Sequence, residues 1–183
     1  MIRSFVRLAR IPALSGLAFL AAFGTAAAHV TLETQQAPVG GIYKAVLRVP
    51  HGCAGAATTA IRVQIPEGVI AVKPTPKPGW ALATTTGDYA QTYDYYGTPT
   101  SKGVKEIAWT GGSLPDAWYD EFVFRAYLAK TLPANTVLHV PVVQMCEGGA
   151  TDRWIEIPAA GKSADDYRFP APGLKLLSAA DGH

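Results

Sequence analysis

An antiparallel β-sandwich of immunoglobulin-like type is the predicted fold, on three observations. Short runs of alternating apolar and polar residues recur along the chain, Gly and Pro clusters punctuate them, and no convincing amphipathic helix or internal repeat appears. One all-β domain of many short strands is the architecture those features specify.

The first 28 residues stand apart. Arg3, Arg7 and Arg10 precede a short apolar run over 13–23, and Ala26-Ala27-Ala28 supplies a small-residue cleavage pattern. Residues 1–28 therefore read as a secretory signal cut after Ala28, which places the protein in the periplasm or outside the cell. The run is shorter than the roughly 20 apolar residues a membrane helix needs, so no membrane insertion of the mature chain is expected. Cleavage leaves 155 of 183 residues, enough for one domain with its own core. It also removes three arginines, leaving 13 basic against 14 acidic residues and a net charge of −1. No basic patch remains to suggest nucleic acid as a partner.

From His29, the sequence His-Val-Thr-Leu-Glu alternates and opens a half-buried strand at the mature N-terminus. Residues 35–41, with Pro38, Gly40 and Gly41, read as a turn. The stretch 43–49 alternates with Tyr43, Ala45, Leu47 and Val49 on one face, and His51-Gly-Cys-Ala-Gly is a loop. A strand over 58–65 puts Ile61, Val63 and Ile65 on one side, and 66–68 is a turn. The short apolar run 69–73 leads into 74–79, whose three prolines make it extended or edge-like. Strands are expected over about 80–86, 89–96 and 104–110, the last broken by Gly111-Gly112. The strongest core strand is 118–129, with Phe122, Phe124, Ala126 and Leu128 facing one way. Residues 136–145 are strand-like, with Pro141 marking an edge or bulge. A short strand over 153–157 completes the domain at residue 158, and 159–183 reads as a C-terminal tail on the surface or partly disordered.

Cys53 and Cys146 are the only cysteines, and in an exported chain they are expected to pair. Closing so long a loop stabilises by roughly 4 to 5 kcal/mol in the chain-entropy picture. As free thiolates they would instead be soft ligands for Cu(I).

Cleavage after Ala28 gives His29 two nitrogen donors that close one ring on a metal, its α-amine and its imidazole Nδ1. Their ordinary pKa values, about 7.7 to 8.0 and about 6.5, let a divalent cation displace both protons near neutrality. Nitrogen pairs of this kind favour Cu(II) over the other first-row divalent ions.

Several motifs follow that N-terminal Ala-His-Val-Thr: Thr58-Thr-Ala-Ile-Arg-Val-Gln-Ile-Pro-Glu-Gly68, Lys77-Pro-Gly-Trp80, Trp109-Thr-Gly-Gly112, Tyr119-Asp-Glu-Phe122, Pro141-Val-Val-Gln144 and Trp154. Together they resemble the YcnI-like family of exported copper-binding proteins over nearly all of 29–158. The resemblance implies a β-sandwich that holds Cu(II) by a single-histidine brace for acquisition, storage or trafficking. It assigns His29 as the brace, Glu121 as a carboxylate ligand and Trp154 as the indole beside the metal. Asp120 competes with Glu121, since strand alternation sends the two to opposite faces. Trp80 and Trp109 read as core. His51 is a surface-loop histidine or an extra ligand, His139 a core residue, and His183 a mobile terminal one.

No enzyme activity is expected. The partners implied are the copper ion and another periplasmic copper chaperone or a membrane copper transporter. A copper oxidase of the lytic monooxygenase type would need a second imidazole, which His51 or His139 would have to supply. A metal-free adhesion or assembly module would leave His29, Glu121 and Trp154 unconnected in space.

Overall fold

A computed structural model describes residues 29–179; the leader, the cut after Ala28 and His183 lie outside them. Twelve strands form in chain order: β1 Thr31–Leu32, β2 Gln36–Pro38, β3 Ile42–Val49, β4 Thr58–Gln64, β5 Val69–Pro74, β6 Ala81–Tyr95, β7 Thr98–Leu114, β8 Asp120–Leu128, β9 Val137–His139, β10 Val142–Cys146, β11 Thr151–Trp154 and β12 Gly173–Leu177. Three sheets result, ordered β1-β3-β8-β5, β11-β10-β4-β7-β6 and β2-β12-β9. Pairing is antiparallel throughout except between β2 and β12.

Alternation fixes which residues meet. Leu47 lies opposite Phe122, Ala45 opposite Phe124 and Tyr43 opposite Ala126. These side chains pack with Ile61, Val63, Ile107 and Trp109 of the facing sheet in one apolar cluster. Trp109 is fully buried, its indole N–H donating to the Thr75 carbonyl at 3.0 Å. Trp80 packs against the same cluster, edge-on to Phe122.

Four expectations are corrected. First, β7 does not stop at Gly111-Gly112 but runs through them to Leu114. Gly111 takes a positive φ of 74°, and a Cβ on Gly112 would come within 2.1 Å of the Trp80 indole. Gly112 makes room for the partly buried Trp80. Second, the two strands expected over 80–96 are one strand, β6, paired with β7 in a long hairpin. Its tip turns at Tyr96 and Gly97, both with positive φ, the conformation of a tight hairpin turn. Third, Pro141 separates two strands of different sheets, β9 and β10, because proline cannot donate to a ladder. Fourth, the segment after 158 is no loose tail. β12 inserts between β2 and β9, and Leu174 and Leu176 are buried in the main core. Their alternation with Gly173, Lys175 and Leu177 is the pattern of a half-buried strand.

Candidate metal centre at the N-terminal end of β1

His29 lies two residues before the start of β1, and its neighbours Val30 and Leu32 are buried. Its ring centroid lies 5.9 Å from that of Trp154, and its Nε2 is buried without a hydrogen-bond partner among the described residues. A cavity of about 170 Å³ adjoins it, lined by Thr31, Gln35 and the 170–173 segment.

Trp154 is the last residue of β11, one of the two edge strands of the five-stranded sheet. Its buried indole touches three rings: His29, His51 at 6.4 Å and Phe169 at 5.2 Å. The indole N–H donates to Gln144 Oε1 at 3.0 Å. Gln144 Nε2 donates to the His51 carbonyl and to Thr58 Oγ1, each at 2.7 Å. Two residues further along the chain, Cys146 is joined to Cys53, so the expected disulfide exists and no free cysteine is present among the described residues.

The 51–56 loop is held from several sides. Cys53 and Ala56 bond to each other's backbone, and Asp116 Oδ1 accepts from the Gly52 and Gly55 amides at 3.1 and 3.3 Å. Ala54 and Gly55 take positive φ at its turn. His51 Nδ1 lies against the Gly52 carbonyl. Asp152, opposite Gln144 in the ladder, has its carboxyl pushed above the usual range by burial, against the opposing pull of His51 and Arg168.

Glu121 stands elsewhere on the first sheet. Thr31 pairs with Arg48 and Arg48 with Glu121, so Glu121 lies in the row of Thr31 but two strands across, about 10 Å between strand axes. Between them Arg48 donates to Thr31 Oγ1. The Tyr119 hydroxyl donates to the Glu121 carboxylate. Desolvation of that phenol, together with its bond to Glu121, pushes Tyr119 up to about 12, so it remains a donor through neutral pH. Asp120 faces the other way, paired with Lys77 at 2.6 Å. His139 Nδ1 approaches the carbonyl of Ala171, one of the residues lining the cavity beside His29, at 3.4 Å.

The structure thus brings His29, Trp154 and His51 together and leaves Glu121 across β3. Among the described residues no group of three or more His, Cys, Asp and Glu side chains converges as a metal cluster. Gln144, Asp116 and Phe169 were not singled out from sequence as site residues. For Gln144 the signal was there: a polar amide at an inward position between Val142 and Cys146.

A family model matches residues 29–176, nearly the whole described structure. The chain belongs to that family. It is described as a domain of unknown function, DUF1775, the family of YcnI-like proteins. The match begins at His29 and reaches into β12, well past the boundary expected at 158. Among solved structures, an uncharacterized protein from Nocardia farcinica with an immunoglobulin-like fold is similar, with 27% sequence identity and a TM-score of 0.60, over 82% of this chain and 99% of that one. No curated protein matches.

Proposed function

We propose that this DUF1775 protein is an extracytoplasmic copper-binding protein that holds Cu(II) through the amine and imidazole of a mature N-terminal His29 and passes it on without catalysis. The observation that carries the reading is the state of the His29 ring: packed against the Trp154 indole with Nε2 buried, it leaves Nδ1 as the nitrogen for a metal. Nδ1 is also the ring nitrogen that can close a chelate with the residue's own α-nitrogen. Two donors from one residue need no preformed cluster of side chains, and nitrogen donors of this kind favour copper. Glu121 is the proposed further ligand, drawn from Tyr119 toward β1 as the metal binds. Trp154 shields the site from water on its buried side. Export, a cut after Ala28 and a chaperone or membrane transporter as recipient belong to the same reading.

A second reading, a copper oxidase, is favoured by the approach of His51 to the same indole. Reductant-dependent oxygen consumption by the copper-loaded protein would support it.

Isothermal titration of Cu(II) into three forms tests the main reading: one beginning at His29, one extended by a single Met, and His29→Ala. The extended form converts the amine to an amide, so its affinity should fall by orders of magnitude with the fold intact. Equal affinity for the first two forms would overturn the brace.

A further inference from the structure

We infer that Gln144 is a positioning residue, setting the orientation of the Trp154 indole against His29. Its consequence for metal binding rests on the copper reading, but its geometry does not. Gln144 is 0% exposed, a costly place for an amide unless its hydrogen bonds are made. All three bonds are made, and two of them go to groups of fixed polarity. The indole Nε1–H can only donate and so meets Oε1. The His51 carbonyl can only accept and so meets Nε2, whose second hydrogen goes to Thr58 Oγ1. The amide cannot flip without losing two bonds, and an indole bonded to it cannot flip either, although tryptophan's second torsion is intrinsically broad.

That restraint matters at this position. Trp154 ends a four-residue edge strand, so backbone pairing alone holds it weakly, while the ring must meet His29, His51 and Phe169 at once. The same amide grips the His51 backbone. The disulfide joins Cys53, two residues after His51, to Cys146, two residues after Gln144. Amide and disulfide therefore clamp the 51–53 segment to β10 side by side. One buried side chain thereby fixes both the indole under His29 and the backbone of the loop whose imidazole abuts it.

The test uses protein beginning at His29, by proton NMR without metal and by Cu(II) titration with electron paramagnetic resonance. Trp154 ring currents displace the His29 ring-proton shifts, and Trp154→Leu gives the value without them. Gln144→Met should move these shifts most of the way to that value, weaken Cu(II) binding about 10- to 100-fold and alter the copper hyperfine pattern. Gln144→Glu, neutral when buried, can still accept from the indole and donate to His51, and should stay near wild type. Ile107→Val, a core change in the middle of the sandwich, should lower the melting temperature without moving the His29 shifts. Unmoved shifts in Gln144→Met, or equal movement in Ile107→Val, would overturn the proposal. Should Gln144→Met fail to fold, wild-type protein decides it: the Trp154 indole N–H should exchange far more slowly than that of exposed Trp118, and equal exchange refutes the clamp. If wild-type protein binds no Cu(II), the copper reading falls while the shifts still decide the positioning role.

Discussion

Asp120 and Glu121 are adjacent carboxylates with opposite commitments, and the difference is set by one step of the pleat. Asp120 accepts from Lys77 Nζ at 2.6 Å and from the Glu121 amide at 2.8 Å, so its charge is already spent on local structure. Glu121 has only a tyrosine hydroxyl among the described residues and faces Arg48 across the ladder. Glu121→Gln should therefore weaken Cu(II) binding and change its spectrum with little effect on melting. Asp120→Asn should leave binding near wild type and cost about 1 kcal/mol or less of stability. Titration and thermal melts of the two variants check this, and the reverse ranking would remove Glu121 from the site. Alternation makes the opposite faces of this pair legible in sequence. That Glu121 lies two strands from β1 was not, because the distance depends on β3 pairing between them, a non-local fact no local pattern encodes.

The β6–β7 hairpin shows how an element departs from its local signals. Gly111-Gly112 carries the composition of a strand end, yet it is a passage through which Trp80 packs. Gly112→Ala drives a methyl into that indole and should cost about 1–3 kcal/mol, measured by denaturant unfolding; no loss would mean the tryptophan moves freely. At the far end, Glu67 accepts from Tyr93 and Ala90 through Oε1 and from Lys105 through Oε2, pinning the hairpin to the β4–β5 turn. Tyr95 and Tyr96 then cover Tyr127. Burial alone would raise the Glu67 carboxyl; the bonds from Lys105, Tyr93 and Ala90 outweigh it and leave the pKa lowered. A carboxyl lowered in the folded state stabilises above its ordinary unfolded value, about 4.3, and that contribution is lost as pH falls through the lower folded value. Acid should therefore loosen the hairpin tip first, seen as faster amide exchange over residues 89–93, and Glu67→Gln should abolish that pH dependence. The sequence shows the tyrosines; it does not show which turn anchors them.

At the scale of the molecule, the first and last strands of the described residues close the fold together. β1 pairs with β3 at one edge of the first sheet, while β2, four residues later, pairs with β12 from the C-terminal end. The composition of 159–183, rich in Pro, Gly and Ala, reads as tail because β12 is short and its partners are the three-residue strands β2 and β9, each too small to announce itself. The sandwich of the middle strands was legible because long alternating runs such as β8 specify both strand and face. The closing sheet was not, because its stability comes from Leu174 and Leu176 entering a core built elsewhere. Two staples with different origins follow. Reducing Cys53–Cys146 frees the loop of 93-residue separation and should lower the melting temperature by the equivalent of roughly 2–5 kcal/mol. Leu174→Ala, in the supposed tail, should cost a similar 2–5 kcal/mol, because a leucine that is 1% exposed leaves a cavity its neighbours cannot fill. Lys175→Ala, outward on the same strand, is the control and should be near neutral. Thermal melts of the three forms separate the possibilities: a Leu174→Ala protein as stable as Lys175→Ala would return the segment to the surface, whereas a loss matching disulfide reduction makes the last strand as much a part of the sandwich as the bridge. The same substitution should reach the N-terminal site, since residues 170–173, which line the cavity beside His29, run directly into β12, and its His29 ring-proton shifts should move with the loss of stability.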